Sequence, residues 1–240
     1  MFHGGGWGGG HRKQFRYLCH YFSTRGLVAA TVTYKLAPKA RTKEAKSTES
    51  RKRVCITDAK SAIRWYKQNG EELGINPRKI VAGGGSAGGH ISLLATTNPG
   101  LNDPRDPKEY DTTVAAYLLF NPALGAADAK DSEVDFLQHL KDDLPPAIIF
   151  FGSEDKWLKN GWKAASAKIS SLNIADSVDV RIADGQGHGF FNKQPWTDIT
   201  LIEVDRFLKD LSHLEGDPTL TMPKTGEKLK DANKTLDSTR

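Results

Sequence analysis

Apolar positions along this chain fall into five short runs, separated by longer segments in which apolar residues recur every three or four positions. The runs are Leu27 to Tyr34, Lys79 to Gly83, Val114 to Phe120, Ala147 to Gly152 and Val178 to Ile182, and each reads as a strand buried on both faces. Between them, Ile56 to Asn69 sets Ile56, Ala59, Ile63 and Tyr66 on one helical face and meets Gly70 as a stop. Trp162 to Leu172 and Thr197 to Leu211 carry the same period, the latter through Ile199, Ile202, Val204, Phe207 and Leu211. Strands alternating with helices predict the α/β class, a mostly parallel sheet flanked by helices on both faces. Clusters of Gly, Pro and Asn place loops at 98–111 and 122–146, the second long enough to hold a short helix and roof a pocket. Apolar periodicity ends after Leu214, so the expected organisation is one domain over residues 1–213 and a loosely structured tail over 214–240.

Composition narrows the partners more than the fold. The chain has no run of 18 apolar residues, so no membrane span is expected. The first residues show neither a basic segment nor an apolar one, so no signal peptide is visible and the compartment stays open. The formal net charge is +5, but the basic stretch Lys39 to Arg53, with seven Lys/Arg against two Glu, contains no aromatic residue. It reads as a solvated loop, and a nucleic-acid partner is set aside because bases need stacking surfaces beside the charge. Two cysteines, Cys19 and Cys55, make neither a disulfide framework nor a metal site and are expected as buried free thiols.

Candidate chemistry concentrates after three of the predicted strands. Gly84-Gly85-Ser86-Ala87-Gly88 follows the strand Lys79 to Gly83 and precedes the helical run Ile91 to Ala95. On so tight a turn, glycine is needed two residues either side of the serine, and the hydroxyl is left exposed at a helix N-terminus that stabilises developing negative charge. A serine needs a base with a pKa near working pH, which points to histidine. Of seven histidines, His188 in Gly187-His188-Gly189 lies on a glycine-flanked loop directly after the last strand, whereas His3 and His11 sit on an N-terminal glycine-rich loop and His90 just past the elbow. The base in turn needs a carboxylate to orient it, and Asp155, with Glu154 second, ends the strand Ala147 to Gly152. Serine, aspartate and histidine stand in that order, 69 and 33 residues apart. His3-Gly4-Gly5-Gly6-Trp7 supplies bare backbone N–H groups suited to an oxyanion, and Trp7 and Trp157 are candidates to line a substrate pocket, with core packing as the alternative.

Taken with Tyr34-Lys35-Leu36-Ala37-Pro38, these motifs resemble the hormone-sensitive-lipase-like esterases of the α/β-hydrolase superfamily over residues 1 to 213. The resemblance implies a triad of Ser86, Asp155 and His188, and an oxyanion hole from Gly5, Gly6 and the N–H of Ala87. It implies a small-molecule ester as substrate, short-chain carboxylic or a sugar acetate, and neither metal nor organic cofactor. Many relatives carry Asp where this chain has Gly85, which implies a looser elbow. In the family the His-Gly-Gly-Gly loop follows a central strand that two more strands precede, whereas here only Met1 and Phe2 stand before the loop. The resemblance therefore implies an α/β-hydrolase fold lacking its first strands, with unpaired edges in mid-sheet. Either the chain is an N-terminally shortened form, the favoured reading, in which a signal peptide would have gone too, or its sheet closes in an altered order, or a second copy in a homo-oligomer supplies the pairing. Two rival readings stay open at this stage: a serine peptidase of the prolyl-oligopeptidase kind, and a hydrolase-shaped binding domain without turnover.

Overall fold

The computed structural model describes residues 1–36 and 48–232; side chains are described from residue 51 onward in the second segment. Four parallel strands, β1 (Val81–Gly85), β2 (Ala116–Phe120), β3 (Ala147–Gly152) and β4 (Val178–Ala183), lie side by side in chain order. A fifth, β5 (Leu229–Asp231), closes one edge antiparallel to β4. Among the described residues six helices flank the sheet: α1 (Arg16–Thr24), α2 (Thr48–Gln68), α3 (Ala87–Thr97), α4 (Phe136–His139), α5 (Lys163–Ser171) and α6 (Trp196–Asp210). Parallel connections force helices onto both faces, and the alternation along β2 shows it. Leu118 and Phe120 pack towards α1 and α6, while Tyr117 and Leu119 join the core under α3, α4 and α5. A third cluster, with Phe2, Tyr34, Cys55, Ile63 and Ile91, seats α2 against α3. Cys55 is a buried thiol as expected and joins no disulfide among the described residues, while Cys19 is half-buried.

Three expectations change. The run Leu27 to Tyr34 forms no ladder and touches the sheet through one bridge at Val32. Its partner in that bridge is Phe2. Mid-sheet is nevertheless bridged: Phe2 pairs in parallel with both Val32 and Gly84, with Phe2 N donating to Gly83 O at 2.8 Å and Val32 N to Met1 O at 3.0 Å. Below that bridge lies an apolar cleft of about 310 Å³ lined by Phe22, Leu27, Ile63, Val81 and Leu208 among others. Second, the segment expected to be a loose tail supplies β5. Leu214 is buried, and Leu220 and Leu229 pack on the core; residues 233–240 lie outside the described chain. An antiparallel edge strand of three residues leaves too short a period for the sequence pattern to register. Third, the basic stretch is not a solvated loop where it is described. Residues 48–53 begin α2, Lys52 is buried against Asp128, and Arg53 pairs with Asp131 at 2.5 Å.

The β1–β2 contact depends on one glycine. A Cβ at Gly83 would stand 2.2 Å from the Leu118 carbonyl oxygen, so the strands would have to part. Gly83→Ala is expected to cost about 2–3 kcal/mol of stability, read as a lower urea midpoint at unchanged slope. An unchanged midpoint would contradict this packing.

Candidate active site

The C-terminal ends of β1, β3 and β4 meet on one rim of the sheet. Ser86 follows β1 with φ +54° and ψ −118°, a strained conformation for a residue with a side chain. The surroundings impose it: Ser86 N donates to Phe120 O at 2.8 Å, and Ser86 O accepts from Ala123 N at 3.0 Å and Gly89 N at 3.1 Å. Glycine at 84 and 88 follows from crowding, since a Cβ there would lie 2.3 Å and 2.0 Å from the Phe2 carbonyl oxygen. Gly85 is crowded as well, with Phe191 Cζ 2.7 Å from where its Cβ would be. An aromatic ring fills the space another residue's side chain would take there, so the elbow is packed tightly and the looser turn implied by Gly85 does not arise.

His188 reaches back over this rim. Its Nε2 lies 2.8 Å from Ser86 Oγ and its Nδ1 lies 2.9 Å from Asp155 Oδ2. An ionised carboxylate only accepts, so Nδ1 carries the proton and Nε2 accepts from the serine hydroxyl. The three residues expected from the sequence are thus brought into one hydrogen-bonded chain. Glu154, the second choice of carboxylate, is exposed and pairs with Lys159 instead. The His188 side chain is 38% exposed while that of Asp155 is fully buried, so the chain runs from solvent into the core.

Asp155 is held on several sides. Trp157 N donates to Oδ1 at 3.0 Å, and the Asn121 amide donates to Oδ2 beside His188. Burial pushes the Asp155 carboxyl up, but these hydrogen bonds, His188 first, outweigh it and hold the group below the ordinary carboxylate value. A pKa lowered in the folded state gives stability that is complete above the unfolded value of 3.8 and lost as pH falls through the folded one. The gap in unfolding free energy between the parent and Asp155→Asn should therefore narrow as pH drops below about 4, measured by urea titration across that range. A gap that stays constant would show that the carboxylate charge contributes nothing.

Sequence reasoning missed Asn121. It is fully buried, has φ +49°, and stands at the end of β2, the one strand between β1 and β3 to which no chemistry had been assigned. Its signal was an Asn-Pro pair directly after an apolar strand, at the same rim as the other three.

The loop expected to hold an oxyanion lies against this turn. A Cβ at Gly4 would be 3.2 Å from Ser86 Cβ and 3.0 Å from Gly85 O, and Gly5 and Gly6 take φ +126° and +61°. Ala87 is the first residue of α3, so its N–H has no carbonyl one turn back to bond. The loop's entry is fixed by Tyr34 Oη donating to His3 O at 2.6 Å, by stacking of the two rings, and by Gly4 N donating to Gln14 Oε1 at 2.6 Å. Of the two candidate pocket aromatics, Trp7 is only 6% exposed, with its ring against His90 and Lys52. Trp157 is half-buried and packs against Gly125, with the Lys156 ammonium 5.0 Å from its ring.

A serine elbow and a histidine loop at the rim of a helix-flanked parallel sheet define an α/β-hydrolase. The solved structures agree. Over 90% of this chain and 83% of the other, it superposes with a TM-score of 0.78 and 33% identity on an esterase of Thermogutta terrifontis, solved after phosphorylation by paraoxon. The model of the BD-FAE family matches residues 1–121, half of the chain. The chain belongs to this family, among the esterases of the α/β-hydrolase superfamily. Similar curated proteins of Mycobacterium tuberculosis include the probable carboxylic ester hydrolase LipM, 34% identical over 121 residues, and the esterase LipC, 26% identical over 220 residues. The matches cover 49% and 78% of this chain but only 25% and 51% of those two proteins. No helix among the described residues is long and apolar enough to cross a membrane.

Proposed function

We propose that the protein is a serine hydrolase that cleaves short-chain carboxylic esters through an acyl-enzyme on Ser86, and that residues 1–213 carry this activity. The observation that supports it most is the unbroken chain from Ser86 Oγ through His188 to buried Asp155, at 2.8 and 2.9 Å. In this reading Ser86 Oγ attacks the ester carbonyl as His188 Nε2 takes its proton. The C=O bond opens to an oxyanion that the N–H groups of Gly5, Gly6 and Ala87 stabilise. The imidazolium, steadied by Asp155, then returns the proton to the alkoxide as the C–O bond breaks, and the alcohol departs. Water repeats the sequence on the acyl-enzyme, releasing the acid and free Ser86.

A short acyl group fits the neighbours' chemistry, since the Thermogutta esterase has been solved with propionate and with butyrate bound. The paraoxon adduct of that esterase further supports an activated serine here. Purified protein should hydrolyse nitrophenyl acetate or butyrate and leave a dipeptide nitroanilide essentially untouched, which separates the esterase from the peptidase reading. A fluorophosphonate should add its mass to the peptide carrying Ser86 and to no other. Absence of both turnover and labelling would remove the proposal in favour of a binding domain.

A further inference from the structure

Behind the glycine loop lies a buried polar chain for which the ester-cleaving reading has no use. Lys52, His90 and Asp128 are 4%, 0% and 3% exposed. The Lys52 ammonium donates to Asp128 Oδ1 and sits 4.2 Å from the centre of the Trp7 ring. Asp128 Oδ2 lies 3.4 Å from His90 Nε2, which also faces Val134 O at 2.9 Å. On its other side His90 Nδ1 accepts the Trp7 indole N–H at 3.3 Å, with the two rings edge to face at 82°. An indole only donates, so Nδ1 must be bare and the His90 proton must sit on Nε2, towards the carbonyl and the carboxylate. The tautomer is set from both ends. Burial pushes the Asp128 carboxyl up, but His90 and Lys52 outweigh this and hold it down, so the charge persists in the core.

Burying a lysine, an aspartate and a histidine together is costly unless something is gained, and what they grip is a loop with little to hold itself. Gly5, Gly6 and Trp7 all have left-handed φ, at +126°, +61° and +59°, and the bond recorded within the turn is Gly8 N to Gly5 O at 3.3 Å. Trp7 is not a glycine, so it needs outside contacts to stay there. Its carbonyl also accepts from Cys55 Sγ at 3.5 Å. The entry of the loop is fastened at His3 and Gly4, and Trp7 fastens its exit.

We infer that His90 is a positioning residue. Through the Trp7 indole, and backed by Asp128 and Lys52, it fixes the loop that presents the Gly5 and Gly6 amides beside Ser86. His90 lies on α3 four residues past Ser86, which caps that helix, so one helix ties the nucleophile to the acceptor that holds the loop in register with it. Trp7 is thereby assigned to loop geometry instead of substrate stacking.

This rests on the esterase reading for its catalytic consequence but not for its structural one, and the test uses both. His90→Phe keeps the ring and removes the acceptor, Trp7→Phe removes the donor, and His90→Asn restores an acceptor near the Nδ1 position. With a nitrophenyl ester, His90→Phe and Trp7→Phe should each lower kcat by about 10²-fold with KM within about 2-fold, since only the transition state meets a misplaced oxyanion hole. The double variant should lose no more than either single one, and His90→Asn should recover to within about 5-fold of the parent. In ¹H–¹⁵N spectra of the whole protein, the Gly5 and Gly6 amide signals should shift or broaden in His90→Phe and return in His90→Asn. The spectra answer the structural question even if the parent hydrolyses no ester. Unmoved Gly5 and Gly6 signals in both phenylalanine variants, equal losses in His90→Phe and His90→Asn, or additive losses in the double variant would each overturn the inference. Should His90→Phe fail to fold, Trp7→Phe alone decides, by the same kcat and amide readouts.

Discussion

Replacing Ser86 with alanine is expected to lower kcat for a nitrophenyl ester by about 10⁶-fold while leaving the fold intact. In the proposed mechanism this hydroxyl forms the acyl-enzyme, and among the described residues no other side chain bonds to His188 Nε2. The elbow itself does not depend on that hydroxyl. Ser86 meets its neighbours through backbone atoms, with Phe120 O, Ala123 N and Gly89 N as partners, and among the described residues its side chain bonds only to His188. Alanine therefore inherits the same backbone strain, and thermal unfolding should move little. Because the serine and the histidine act as one unit, His188→Ala should cost about as much, and the double variant no more than either single one. Turnover by Ser86→Ala within tenfold of the parent would place the nucleophile elsewhere.

Asp155→Asn should lower kcat by about 10⁴-fold, an effect set by which atoms converge on the carboxylate. Trp157 N–H donates to Oδ1 from fixed backbone, whereas His188 Nδ1 and the Asn121 amide both donate to Oδ2. An amide has one oxygen. If that oxygen serves the Trp157 N–H, an NH₂ group faces two donors, and His188 can answer only by moving its proton to Nε2. The histidine then points N–H at Ser86 and has no lone pair with which to take the serine proton. If the amide turns over, the NH₂ meets the Trp157 N–H. Either arrangement leaves a buried donor without an acceptor, so a loss of stability at neutral pH should accompany the loss of rate. Activity within tenfold of the parent, in a variant that folds, would show that Asp155 does not set the tautomer.

Much of the hydrogen-bonded chain from Ser86 to Asp155 was legible in the sequence. Ser86, Asp155 and His188 each follow a different strand, and parallel strands joined by crossovers present all their C-terminal ends on one rim. Their meeting at 2.8 and 2.9 Å is what that topology allows. β3 matches the expected run from Ala147 to Gly152, because every residue in it is buried and the apolar run is uninterrupted. β1 is displaced two residues from its expected start, to Val81–Gly85, since glycines carry no pattern and only pairing with Ala116–Phe120 fixes their place. Asn121 was not legible as a partner of Asp155, nor were Lys52 and Asp128 as a buried pair. Each of these contacts joins residues at least 34 positions apart, and periodicity reports only local order.

By itself, then, the sequence determined the layer architecture and the identities and order of the three residues that meet at the rim, because burial period and turn chemistry are written in neighbouring residues. Tertiary structure decided how mid-sheet is bridged through Met1 and Phe2, why Gly85 faces an aromatic ring, and that Lys52 is buried against Asp128. Those outcomes depend on which distant surfaces come into contact. A buried charge becomes tolerable only once its partner arrives from another part of the chain, so no window of sequence contains the reason for it.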